Sequence, residues 1–137
     1  MRDVVEPISN PAGVAPDAHI LVVDDDPDIR QVVREMLEDE GWAVAEAPDG
    51  AAGLELARGR RPAVILLDMK MPVMDGWAFA SAYRQVPPPR APVVVVTAAR
   101  DAAARAAEVG ADAHLGKPFD LTDLLAVVGR FVDDAPR

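Results

Sequence analysis

Ile20-Leu21-Val22-Val23-Asp24-Asp25-Asp26-Pro27 is the stretch on which the fold turns. Its four apolar residues, three of them β-branched, show no polar alternation, which is the pattern of a short strand covered on both faces. Three carboxylates end the run, and Pro27 suits the first turn of a helix, where its missing N–H is not needed. Ile29, Val32, Val33, Met36 and Leu37 then recur at intervals of three and four, so one helix follows and stops at Gly41.

The same alternation continues outward. Trp42 to Ala47 reads as a second strand, weakly, because its alanines would also suit a helix. Asp49-Gly50 opens a small-residue helix to about Arg58, and Val64-Ile65-Leu66-Leu67 is a buried strand ending in Asp68. Trp77 to Gln85 forms a helix, Pro87-Pro88-Pro89 makes a stiff connection, and Val93-Val94-Val95-Val96 is a strand ending in Thr97. Asp101 to Val109 is an Ala-rich helix closed by Gly110, and Ala113-His114-Leu115 is a short fifth strand; His19 reads as an exposed strand leader and Asp26 as a surface residue or the N-cap of the Pro27 helix. A last helix from Asp120 places Leu121, Leu124, Leu125, Val128 and Phe131 on one side. Strands alternating with helices require crossovers, so the expected fold is α/β: five parallel strands in a doubly wound sheet with helices on both faces.

Composition bounds the rest. A chain of 137 residues, half hydrophobic and 27% charged, suits one compact domain. It has no cysteine, which excludes disulfides, thiolate metal sites and a cysteine nucleophile. With 14 basic against 23 acidic residues the formal charge is -9, which opposes direct binding to nucleic acid or an anionic membrane. No apolar run approaches the roughly 20 residues of a membrane span, and Asp3, Glu6 and the prolines near the start do not make a signal peptide, so a cytoplasmic protein is expected. Residues 1–17 read as a flexible arm, 18–132 as the folded domain and 133–137 as a tail. Only six residues follow Phe131, so output is expected from a docking surface or from a domain outside these 137 residues.

Open α/β sheets bind ligands outside the carboxyl ends of their strands. Asp24, Asp25, Asp68, Thr97 and Lys117 all stand there in this reading. Three crowded carboxylates repel one another unless a cation lies between them, and an all-oxygen set favours Mg²⁺ or Mn²⁺. A carboxylate beside such a cation, a lysine ammonium and a threonine hydroxyl also suits an incoming phosphoryl group, and the product would be an aspartyl phosphate.

On these residues the chain resembles the CheY-like receiver domains of two-component response regulators, from residue 19 to about 132. Val22-Val23-Asp24-Asp25 is similar to the acidic pair, Leu66-Leu67-Asp68-Met69-Lys70-Met71-Pro72-Val73-Met74-Asp75-Gly76 to the phosphoacceptor loop, Val96-Thr97-Ala98 to the switch strand, and Lys117-Pro118-Phe119 to the lysine–cis-proline turn. The resemblance implies a flavodoxin-like (βα)5 fold in which Asp68 is the phosphoacceptor. It implies that Asp25 and Asp68 ligate Mg²⁺ directly, Asp24 through water, and Lys70 through its backbone carbonyl. Lys117 would pair with the phosphoryl group and Thr97 would hydrogen-bond to it. It further implies a bacterial signalling module, not an enzyme in its own right, monomeric or weakly dimeric. Its partners would be a sensor histidine kinase or histidine phosphotransfer protein, and a downstream target on the face of the fourth helix, fifth strand and fifth helix.

Three departures stand against that pattern. His114 occupies the slot where most receivers carry an aromatic switch residue, and histidine is smaller and titratable. Lys70 and Ala99 flank the phosphoryl position with no readable effect on its lifetime. The Pro87-Pro88-Pro89 loop is longer than the fold needs. Two rival functions are weighed beside the phosphoacceptor: a pseudo-receiver that binds partners without phosphorylation, and an aspartate-nucleophile, Mg²⁺-dependent phosphatase of the haloacid dehalogenase type built on Asp24-Asp25-Asp26. The intact acidic set argues against the first. Asp28 where Thr or Val is wanted, and an otherwise unexplained Asp68 and Lys117-Pro118, argue against the second.

Overall fold

In a computed structural model, which describes residues 19–132, the elements are β1 His19–Val23, α1 Pro27–Asp39, β2 Ala43–Ala47, α2 Gly50–Gly59, β3 Val64–Leu67, α3 Gly76–Tyr83, β4 Val93–Ala98, α4 Ala99–Val109, β5 Ala113–Lys117 and α5 Leu121–Gly129. The expected arm at 1–17 and tail at 133–137 lie outside the described residues. All strand pairs are parallel and the sheet order is β2-β1-β3-β4-β5.

The uninterrupted apolar strands follow from two separate cores. Ile20, Val22, Val64, Leu66, Val94 and Val96 point to one face, against Val33 and Leu37 of α1 and Leu124, Val127 and Val128 of α5. Leu21, Val23, Ile65, Leu67 and Val95 point to the other, against Leu54 of α2, Phe79 and Tyr83 of α3 and Val109 of α4. Side chains alternate across a strand, so covering both faces demands apolar residues at every position.

Several boundaries and burials differ from the sequence reading. His19, expected as an exposed strand leader, is buried at 5% exposure. It is the first residue of a strand flanked on both sides, paired with Ala43 and accepting from the Ala63 N–H at 2.7 Å. Trp42 precedes β2 instead of opening it, and α4 begins at Ala99, directly after Thr97-Ala98. Leu121 is the first residue of α5, beyond the end of the sheet, and stays 41% exposed while Val127 fills the core. The proline loop contains a cis Pro88–Pro89 peptide, and the Ala91 N–H beyond it donates to the buried Tyr83 hydroxyl at 2.8 Å.

The loop from β3 to α3 carries the site and one strained residue. Val73 has φ of 68°, and the Met74 N–H donates across it to the Pro72 carbonyl at 2.7 Å, the hydrogen bond of a γ-turn with positive φ. A β-branched side chain is poorly suited to that region, and Val73 is 83% exposed, so it recovers little by packing. Val73→Gly is therefore expected to stabilise the domain by about 1 kcal/mol, read as a rise in Tm of a few degrees. A lower Tm would show that the side chain contributes more than the backbone strain costs.

Candidate functional site

Asp24, Asp25, Asp68, Thr97 and Lys117 sit at or just past the carboxyl ends of their strands. β1 ends in Asp24, whose N–H donates to the Ala47 carbonyl at 3.1 Å, and β3 ends in Asp68, whose N–H donates to the Val23 carbonyl at 2.9 Å. The ladder thus continues one residue past each strand, and this sets the two carboxylates side by side. Asp24, Asp25 and Asp68 offer oxygens all within 4.8 Å of one another. Asp24 and Asp68 are buried, whereas Asp25 is exposed.

Lys117 closes the group from β5. Its Nζ lies 2.9 Å from Asp24 Oδ2 and 3.7 Å from Asp68 Oδ1, and the Lys117–Pro118 peptide is cis as the resemblance implied. Thr97 is buried at the end of β4, in register with Gly116, while Ala98 pairs with Lys117. Lys70 is exposed two residues beyond Asp68, and among the described residues no N–H donates to its carbonyl. His114 stands apart: it is exposed on β5 opposite Val95, outside the slot behind Thr97. Met69 is fully buried and Met74 packs on Gly50, so both fill the loop and neither joins the carboxylate group.

The two buried carboxylates are differently occupied. Asp24 accepts from the Asp26 N–H at 2.9 Å on Oδ1 and from Lys117 on Oδ2. Asp68 accepts from the Met69 N–H at 2.8 Å on Oδ1, and its Oδ2 takes no hydrogen bond and is not sealed from solvent. Burial, then the nearby Asp24 charge, push the Asp68 carboxyl up from 3.8 to about 6, against the opposing pull of Lys117 and the Met69 N–H. A hard divalent cation fits this donor set: the ligands are carboxylate oxygens, they crowd one another, and nothing soft is present among them.

Two glycines let the backbone close around the site. A Cβ on Gly76 would lie 2.7 Å from the Asp68 carbonyl oxygen, so the start of α3 packs directly under the loop that follows β3. A Cβ on Gly116 would lie 2.6 Å from both Cα and Cβ of Ala99, where β5 touches the first residue of α4. Gly116→Ala is expected to cost about 1–3 kcal/mol and to displace the adjacent Lys117. Thermal denaturation checks this, and adding Ala99→Gly should fail to restore stability, because the Ala99 Cα itself stands in the way.

Fold and site together define a flavodoxin-like α/β domain of the receiver class. Residues 20–129 match the family model of the response regulator receiver domain, and the chain belongs to that family. It is similar to the transcriptional regulatory protein PdtaR of Mycobacterium tuberculosis, 40% identical in an alignment 122 positions long that covers 85% of this chain and 58% of PdtaR. It thus spans a little over half the length of that relative. Among solved structures it resembles the receiver domain of NtrX from Brucella abortus, at 32% identity and a TM-score of 0.75 over 83% of this chain and 98% of that one. It also resembles the receiver domain of the sensor histidine kinase PA1611 from Pseudomonas aeruginosa, which holds a magnesium ion in its active site cleft, at 28% identity and a TM-score of 0.78 over 85% and 98%. The domain is therefore a bacterial-type signalling module of two-component systems, and no described helix is long and apolar enough to cross a membrane.

Proposed function

We propose that this domain accepts a phosphoryl group on Asp68 from a sensor histidine kinase or histidine phosphotransfer protein, in the cytoplasm, and thereby alters a partner-binding surface formed by α4, β5 and α5. The observation that carries this reading is the pairing of the two buried carboxylates. Asp24 has both oxygens engaged, whereas Asp68 keeps one oxygen free of hydrogen bonds and not sealed from solvent. That difference also argues against the phosphatase reading, which needs a nucleophile from the Asp24-Asp25-Asp26 run.

In the proposed reaction Asp68 Oδ2 attacks phosphorus, the P–N bond of the phosphohistidine donor breaks, and the imidazole leaves. Asp24, Asp25, Asp68 and the Lys70 carbonyl would hold Mg²⁺, which supplies neutralising charge for the phosphoryl oxygens. Lys117 is within reach of Asp68 and would move from Asp24 toward the new charge of about -1.5 to -2. The Thr97 hydroxyl would follow it, with His114 as the second member of the switch. The protein's own role is to receive and hold the group instead of turning over a substrate.

Incubation with Mg²⁺ and a small acyl phosphate donor tests the proposal. A single labile phosphate adduct in the intact mass is the expected result. Continuous phosphate release without an adduct would favour the phosphatase, and an unchanged mass with a folded protein would favour a pseudo-receiver.

A further inference from the structure

Asp25 is exposed and its carboxylate takes no hydrogen bond, so the backbone beneath it decides where it stands relative to Asp24 and Asp68. That backbone is stapled by one residue of α1. The Arg30 N–H donates to the Asp26 carbonyl at 3.0 Å, and Arg30 Nη1 reaches back to the Asp24 carbonyl at 2.6 Å. The Asp24 carbonyl belongs to the same planar peptide unit as the Asp25 nitrogen, so this contact fixes the tilt from which the Asp25 side chain departs. The Asp24 N–H is already fixed to β2. The Asp26 N–H is tied to Asp24 Oδ1, and Arg30 holds the carbonyl between them.

The guanidinium is itself aimed. Its Nε donates to Glu46 Oε1 at 3.2 Å, and Arg34 Nη1 donates to the other Glu46 oxygen. The Arg30 and Glu46 side chains are 17% and 25% exposed, so this pair is more shielded than an ordinary surface ion pair. Glu46 is the one charged residue of β2, in register with Val22, two residues before Asp24. The chain Glu46, Arg30, Asp24 carbonyl connects the edge strand to the acidic pair.

We infer that Arg30 is a positioning residue for the cation site, with Glu46 as the group that orients it. The inference rests on the reading of Asp24, Asp25 and Asp68 as that site. Arg30 has two effects of opposite sign. Its positive charge, close to the acidic group, opposes the arrival of a divalent cation. Its hold on the Asp24 carbonyl favours the cation by keeping the carboxylates convergent. Truncation removes both effects at once, and the sign of the change in affinity tells which one dominates.

The experiment is a Mn²⁺ titration followed by electron paramagnetic resonance, which counts the free ion, on the full chain near neutral pH. Wild type, Arg30→Met and Arg30→Lys are compared, and metal-free melting curves confirm that each is folded. Arg30→Met is expected to weaken Mn²⁺ binding roughly 10-fold or more, although it removes a positive charge. Arg30→Lys keeps the charge but has one ammonium where two separated nitrogens are used, and its affinity is expected between the two. Unchanged or tighter binding by Arg30→Met overturns the inference. If that variant does not melt cooperatively, Arg30→Lys decides, and an affinity equal to wild type overturns it. A wild type that binds no Mn²⁺ overturns the metal-site reading itself, a different result from a ratio of one between wild type and variants.

Discussion

Asp68→Asn is expected to abolish acid-labile, hydroxylamine-sensitive phosphorylation by either an acyl phosphate or a phosphohistidine donor. An amide oxygen is a poor nucleophile and cannot form an acyl phosphate without losing its nitrogen, so the loss should be complete within detection. The neighbours do not substitute. Asp24 has both oxygens engaged by the Asp26 N–H and Lys117, and Asp25 is exposed, without the Met69 N–H and Lys117 that serve Asp68. The variant should still fold, because the Asn side-chain oxygen can keep the Met69 contact. Labelling at the wild-type level in a folded Asp68→Asn protein would place the acceptor elsewhere. Weak labelling on Asp24 or Asp25, located by fragmentation, would show that the pocket and not the residue selects the phosphorus.

How far the sequence alone carried depended on how local each feature is. β1, β3 and β4 lie at the centre of the sheet, and burial on both faces writes itself as Ile20–Val23, Val64–Leu67 and Val93–Val96. β2 is an edge strand with one exposed and three half-buried positions, so alanine suffices and its signal is weak. The acidic pair, Asp68 and Lys117 were legible because a doubly wound sheet delivers whatever ends its strands to a single edge. His19 was misread because a polar residue before an apolar run looks solvated until both neighbouring strands are known. Arg30 was missed for a similar reason: its contacts join a helix to a loop and an edge strand. A trace was nevertheless present in Glu46, a lone carboxylate in the strand Ala43-Val44-Ala45-Glu46-Ala47, which needs a cation from somewhere. Nothing in the sequence marks Val73, because glycine is the usual sign of positive φ and here the residue is valine.

The upward shift of the Asp68 carboxyl leads to the second large effect. Its carboxyl is held up at about 6 in the folded, metal-free protein against 3.8 for the ordinary group. The folded state thus binds the proton more tightly than the unfolded state, and stability falls as pH rises between these two values. Above about pH 7 the full penalty is present, on the order of 3 kcal/mol, and below about pH 4 most of it is gone. Comparison with Asp68→Asn isolates this group from the other carboxylates. In the presence of a chelator, Asp68→Asn should be more stable than wild type at neutral pH by up to about 3 kcal/mol, and the gap should close toward pH 4. Mg²⁺ should act in the opposite direction. It binds the ionised carboxylates, so at about 100 times its Kd it should add about 2.7 kcal/mol to wild type at neutral pH, a Tm rise of several degrees, and little near pH 4. Asp25→Ala and Asp68→Asn should lose most of that rise, because each removes a carboxylate from the set of three. Equal stabilisation of wild type and Asp25→Ala by Mg²⁺ would mean that the cation binds outside this pocket. A wild-type and Asp68→Asn pair whose stability gap does not change with pH would mean that the strain in the site is steric, and that burial of the Asp68 charge is not what the cation relieves.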